Sequence, residues 1–402
     1  MESGFRSRFY GETILPEVVN TPASLSAQVA ASLQNSSLSG PALAVRNKPA
    51  IAVVGSGNSA HALSSYFSSN GHPVHMLARN QAKLESLTAR KAIVATGIIE
   101  GAFEIAQATN DAKSVLDACD TIFVATVANA YADVAHWIAP YLTNKHTVIL
   151  FSGKVGGVLE FEKTLRECGA ANATVLETDN LFIGRLQPDN SIWIRGCKQW
   201  TLFSASSRSQ TLAKADALLK FFPGLEAATN IVQRGLTDYG AFAHGIGTLA
   251  NMNAVDRQQP FLFYYEGFTE KTVALLDALE QEFIAIAHAY ETSLIPMAEL
   301  LNRYYGCDTT NLLIAMQTVP NYRHSKGPTS LDHRFITEDV ACSLVPLSEF
   351  ADLAGVNTPM IDSVIALSSV LTKTNLRATG RTLATLGLAE QSYKQIVEGI
   401  NA

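Results

Sequence analysis

Six consecutive residues, Gly55-Ser56-Gly57-Asn58-Ser59-Ala60, follow the apolar run Ile51-Ala52-Val53-Val54 and open a stretch of helix-forming residues. Residue types at this spacing are suited to holding a phosphate. Gly55 permits a tight strand-to-helix turn, Gly57 lets the main chain approach a pyrophosphate without a Cβ in the way, and Ala60 allows the helix to lie close to the strand. The helix N-terminus adds unpaired N–H groups and a partial positive charge. Asn58 and Ser59 read two ways, as donors to phosphate or as helix caps. The pattern G-x-G-x-x-A also occurs in plain turns, but its place between a strand and a helix makes a dinucleotide site the expectation. Thr126 and Val127, at the end of a later apolar run, are assigned to the same cofactor site.

The end of the second strand bears on which dinucleotide. A site for NAD usually places a carboxylate about 20 residues beyond the glycines, where it accepts hydrogen bonds from the adenosine ribose. This chain has Ala78-Arg79-Asn80 there. An arginine pairs with a 2′-phosphate and no carboxylate repels it, so NADPH is expected over NADH, which stays possible. The competing readings of Arg79 are a solvated loop charge and a stack on adenine.

The elements that must position these residues alternate in type. Short apolar runs at 51–54, 74–77, 121–126, 147–151 and 174–176 are separated by helical stretches, which predicts an α/β fold with a Rossmann-type, doubly wound parallel sheet. A further strand is expected at 199–204. Beyond about Ile231 the period changes, with Leu276, Leu279, Phe283, Ile286 and Tyr290 at spacings of three and four. That is the stripe of an amphipathic helix. The expected organisation is therefore an N-terminal appendage at 1–48 with one short helix near 24–33, a dinucleotide-binding domain at 49–230, and a mainly α-helical substrate and catalytic domain at 231–402.

Bulk properties narrow the partners. With 402 residues, 47% of them hydrophobic and 16% charged, the chain can bury two cores. A net charge of −6 without a long basic run speaks against nucleic acid or an anionic membrane surface and for small-molecule substrates. The five cysteines are scattered without C-x-x-C spacing, so neither a disulfide framework nor a zinc site is indicated, and a reducing cytoplasm fits. No run reaches the ~18 apolar residues of a membrane span. No metal is expected, and a homodimer is left open.

Several separated motifs resemble the opine dehydrogenases, the octopine and nopaline dehydrogenase family. These are Glu177-Thr178-Asp179-Asn180, His244 followed by Asn251, the aromatic segment from Phe261 to Glu266-Gly267, and His333-Arg334-Phe335-Ile336-Thr337-Glu338-Asp339. Gly380-Arg381-Thr382-Leu383 and Leu386-Gly387-Leu388 near the end are also similar. The resemblance runs over roughly 51–388. It implies reductive condensation: an amino acid and a 2-oxo acid form an imine, which a nicotinamide hydride reduces to a secondary amine dicarboxylate.

The same resemblance implies roles. His244 is the proton donor, a task suited to a group titrating near working pH, and Asp339 orients it from the far ring nitrogen. Arg334 offers a planar fork to the oxo acid carboxylate. Glu177 is assigned to the incoming ammonium group, and Asn251 to substrate. The residues alone allow a core histidine at 244, a helix cap at Asp339 and an ion pair of Arg334 with Glu338 or Asp332. The aromatics around Tyr264 read as packing. The family often has proline after the histidine and a polar residue four before it; here Gly245 and Gly240 stand there, and a roomier pocket is one expected consequence. Two other functions are weighed against this one. The first is an NADPH-dependent 2-oxo acid or ketone reductase of the ketopantoate or glycerol-phosphate dehydrogenase type, which typically uses a lysine of its second domain. The second is a nucleotide-binding sensor without turnover.

Overall fold

The computed structural model describes residues 48–170 and 173–402, so the appendage read over 1–48, with its helix near 24–33, lies outside the described residues apart from Lys48. Twelve strands follow among the described residues: β1 Ile51–Val54, β2 Val74–Leu77, β3 Ala92–Gly97, β4 Gly101–Glu104, β5 Gln107–Thr109, β6 Thr121–Val124, β7 Thr147–Phe151, β8 Thr174–Thr178, β9 Phe182–Leu186, β10 Ile192–Cys197, β11 Thr201–Ser204 and β12 Leu225–Ala227.

Eight of them form one sheet in the order β12-β11-β8-β7-β6-β1-β2-β5. The middle strands pair in parallel, with Val54 opposite both Leu77 and Val124. All four residues of β1 are buried, as the continuous apolar run requires of a strand covered on both faces. The expected strand at 199–204 is present as β11, but it runs antiparallel to β8, so the sheet is mixed rather than wholly parallel.

A second, four-stranded sheet, β4-β3-β10-β9, was not expected. Its strands alternate between buried and more open side chains: Ile192 and Ile194 are buried, whereas Trp193 and Arg195 are not. Such segments lack the solid apolar run that marks the large sheet. The buried face shares a core with Ala62, Leu63 and Phe67 of helix α1, Asn58–Ser69, which lies between the two sheets.

After β12 the described chain is helical. The elements that matter for the site are α2 Gly157–Glu167, α3 Ile231–Leu236, α4 Tyr239–Ala250, α5 Glu270–Ala289 and the short α6 Arg334–Thr337. The predicted stripe is real: Leu276, Leu279, Phe283 and Ile286 of α5 are buried, with Tyr290 just beyond. They share a core with Phe242 and Ile246 of α4. No helix among the described residues is long and apolar enough to cross a membrane.

Candidate active site

The phosphate end is built by β1 and α1. Gly55 has φ +135°, and a Cβ there would stand 2.6 Å from the Ala125 carbonyl oxygen, so only glycine fits the turn. Above Gly57 there is open space, with nothing within 4 Å of where a Cβ would be. Asn58 Oδ1 accepts from the Leu186 N–H at 2.8 Å, and Ser59 Oγ accepts from Asn180 Nδ2 at 3.0 Å. Neither side chain caps α1, whose N-cap is Gly57 without a side-chain bond. Both instead bind the start of the helix to the chain around β9. The first N–H groups of α1 have no acceptor among the described residues, and a space-giving glycine beneath them fits a pyrophosphate.

Arg79, two residues past the end of β2, pairs with Asp133 at 3.1 Å; both side chains are more than half exposed, at 55% and 64%. Thr126 turns its hydroxyl to the Val127 carbonyl at 3.3 Å, and Val127 is 44% exposed. Both stand just beyond β6, at the carboxyl ends of the strands, where ligands of open α/β sheets bind.

The catalytic candidates meet in the helical half. Asp238 caps α4, accepting from the N–H of Gly240 at 2.9 Å, and the helix it starts presents His244. Nδ1 of His244 lies 2.7 Å from Asp339 Oδ2, and Nε2 lies 3.0 Å from the Tyr264 hydroxyl. The Phe335 ring stacks on the imidazole at 3.7 Å and 17°. An ionised carboxylate only accepts, so the neutral ring keeps its proton on Nδ1 and takes the Tyr264 O–H on Nε2. Burial first, and then Asp339, push the Tyr264 phenol above its ordinary range, which keeps it a donor.

Gly240 stands one turn before His244. A Cβ there would come 3.0 Å from Asp339 Oδ1 and 3.2 Å from His244 Nδ1. The expected roomier pocket is therefore not what this glycine provides; its missing side chain makes room for the carboxylate and imidazole to meet.

Asp339 is fully buried at the start of a π-helical turn, Val340–Leu344. Such wide turns recur at functional positions. Its second oxygen meets Lys154, and Lys154 also lies 3.0 Å from Asp238 Oδ2. Burial works to raise the Asp339 carboxyl, but Lys154 and then His244 hold it well below the usual carboxylate range. For Lys154, burial works to lower the ammonium, and Asp238 and Asp339 outweigh it and hold it above the ordinary lysine range.

Lys154 escaped the sequence reading. It follows β7 in the loop Ser152-Gly153-Lys154, with φ +60°. A lone basic residue at the carboxyl end of a buried parallel strand was the available signal. Arg381, recognised in the sequence only as part of a motif, is a second tie between the halves: its guanidinium donates to the carbonyls of Gly153 at 3.0 Å and Ala128 at 3.2 Å and pairs with Glu160 at 2.7 Å. The neighbour of Asp339, Glu338, accepts from the Ala128 N–H at 3.0 Å.

Four sequence assignments are corrected or narrowed. Glu177 does not face a cleft. It is fully buried on β8, its Oε2 accepts from the Val158 N–H at the start of α2, and its Oε1 stands 3.6 Å from Arg234 of α3. An incoming ammonium group has no access to it. Asn251 is spent on structure: as the residue ending α4 it donates to the carbonyls of Gly247 at 2.8 Å and Gly267 at 2.7 Å. Arg334 forms the ion pair with Glu338, at 2.8 Å through Nε, and keeps a half-exposed side chain whose terminal nitrogens make no hydrogen bond among the described residues. Tyr264, read as packing, packs on Tyr322 at 3.8 Å and also occupies the second nitrogen of His244.

Comparison with known proteins separates the halves. The sequence model described as ketopantoate reductase PanE/ApbA matches residues 51–173, and that described as NAD/NADP octopine/nopaline dehydrogenase, alpha-helical domain, matches residues 227–372. The opine dehydrogenase of Arthrobacter sp. (strain 1C) is 33% identical over 343 residues, covering 84% of this chain and 95% of that protein. This chain belongs to the opine dehydrogenase family. Membership makes it an NAD(P)-dependent oxidoreductase that acts on a CH–NH bond, and the sensor and simple reductase readings give way. The family fold agrees: an octopine dehydrogenase structure with NADH and L-arginine superposes with a TM-score of 0.69 at 18% identity, covering 88% of this chain and 98% of that one. A yersinopine dehydrogenase with bound NADP+ gives 0.65 at 15% identity, covering 89% and 99%. Among the described residues no cluster of three or more histidine, cysteine or carboxylate side chains could hold a metal ion.

Proposed function

We propose that the chain joins the amino group of an amino acid to a 2-oxo acid and reduces the resulting imine to a secondary amine dicarboxylate, with NADPH as reductant. The observation that carries this reading is His244 held at Nδ1 by Asp339, so that Nε2, which takes the Tyr264 O–H in the absence of substrate, is the nitrogen that gains and gives a proton. A bound nicotinamide supplies the hydride.

Each residue then has a physical task. The open N–H groups of α1, with Gly55, Ser56, Gly57, Asn58, Ser59 and Ala60, hold the pyrophosphate. Thr126 and Val127 line the neighbouring wall. Arg79 exchanges Asp133 for a 2′-phosphate, and its exposure makes that exchange inexpensive. As imidazolium, His244 passes its Nε2 proton to the nitrogen of the imine while Asp339 stabilises the charge on the ring. The free end of Arg334 receives the oxo acid carboxylate, with Glu338 fixing the guanidinium plane.

The test is oxidation of NADPH by a panel of 2-oxo acids, with and without amino acids, together with product mass. The reading requires oxidation that depends on both partners and a product joined through nitrogen. Oxidation with the oxo acid alone contradicts it and points to a plain reductase.

A further inference from the structure

Period-two alternation along β10 sends Ile192 and Ile194 into the core against α1 and leaves Trp193 and Arg195 on the opposite face. There they meet the segment Pro320–Tyr322 and the two residues after it, and a cavity of about 300 Å³ opens between. That is the lower end of the volumes small ligands occupy. Its polar lining is Arg195, Asn321, Arg323 and His324, with Trp193 as a wall, and no carboxylate lines it.

Arg195 is the unusual member. Its Nε is buried and meets no acceptor among the described residues, while its guanidinium lies 5.6 Å from the Trp193 ring centre. Tyr264 and Tyr305 are the phenols within its electrostatic reach. Tyr322, between the lining residues Asn321 and Arg323, stacks on Tyr264 at 3.8 Å, and Tyr264 touches His244, so two aromatic residues join the cavity wall to the reactive nitrogen. Arg195 as a whole is half-buried, but burying its Nε without an acceptor costs stability, and a group of that kind is expected where a ligand completes it.

The buried cations near the site each face a carboxylate, although two nitrogens of Arg234 make no hydrogen bond among the described residues. Lys154 is held by Asp238 and Asp339, Arg234 faces Glu177, and Arg381 is paired with Glu160. The reaction, however, brings two carboxylates into the site, and Arg334 accounts for one of them. We propose that Arg195, with Arg323 and His324, forms the recognition pocket for a carboxylate of the amino-acid substrate. This rests on the opine-forming reading above. The carboxylate is the α-carboxylate or that of an acidic side chain, and the chemistry of recognition is the same: a planar fork meeting two oxygens, flanked by cationic groups.

The test compares Arg195→Met with the native protein, using alanine, glutamate and a primary amine without a carboxylate, at saturating NADPH and oxo acid. Loss of a charge-assisted hydrogen bond predicts a KM increase of about 10- to 100-fold. An increase for both amino acids but not for the amine assigns the α-carboxylate; an increase for glutamate alone assigns the side chain. Unchanged amino-acid KM values, or an increase confined to NADPH or the oxo acid, overturn the proposal. Because no carboxylate among the described residues pairs with Arg195, the variant is also expected to resist urea about as well as the native protein. If the native protein turns over no amine at all, the functional reading fails separately. Calorimetric titration of glutamate into the NADPH-loaded protein then decides the pocket: binding lost in Arg195→Met upholds it, and binding that is equal or absent in both overturns it.

Discussion

Lys154 Nζ lies 3.0 Å from Asp238 Oδ2, joining the loop after β7 to the residue that caps the His244 helix. The same ammonium meets Asp339. One buried cation from the sheet half thus fixes both the start of α4 and the carboxylate that orients the imidazole. Replacing it by methionine leaves two buried carboxylates without a counter-charge, a change that typically costs about 3–5 kcal/mol. Urea unfolding of Lys154→Met is expected to show a loss of that order, partly restored when Asp238→Asn is added. A single variant as stable as the native protein contradicts the arrangement.

Acid stability follows from Asp339. Its carboxyl is held below the ordinary range, chiefly by Lys154 and His244 acting against burial. A depressed carboxyl contributes stability that is present above the unfolded pKa of about 3.9 and is lost as pH falls toward the folded value. Between pH 5 and pH 3 the native protein is therefore expected to lose roughly 1 kcal/mol more than Asp339→Asn does. Urea titrations at the two pH values check this, and equal losses contradict it.

The proposed function gives cofactor choice to Arg79. In Arg79→Ala the ratio of kcat/KM for NADPH over NADH is expected to fall by about 10-fold or more, the scale of one charge-assisted phosphate contact. Stability should hardly change, since the Asp133 pair is exposed. A native preference for NADH, with an unchanged ratio in the variant, rules out the 2′-phosphate contact.

The large sheet was legible because β1, β6 and β7 are buried on both faces and read as largely apolar runs. The small sheet was not, because its apolar runs are short and are ended by residues such as Arg195 and Gly196 in β10. At the site, His244 and Asp339 were readable through motif resemblance, and the structure brings them together across 95 positions of chain. Glu177 was misread for a physical reason. A carboxylate at the end of a strand looks like a ligand group, but whether it opens to a cleft depends on Arg234 and the start of α2, which no local pattern announces. Lys154 shows the converse, a residue without a motif whose importance arises from two distant aspartates.

The central claim is that the imidazole of His244, oriented by Asp339, moves the proton that accompanies imine reduction. Its most direct test is the turnover and cofactor binding of His244→Ala. The account predicts unchanged NADPH affinity with kcat lower by about 10²-fold or more, the usual effect of removing a general acid–base group. A variant that turns over near the native rate contradicts it.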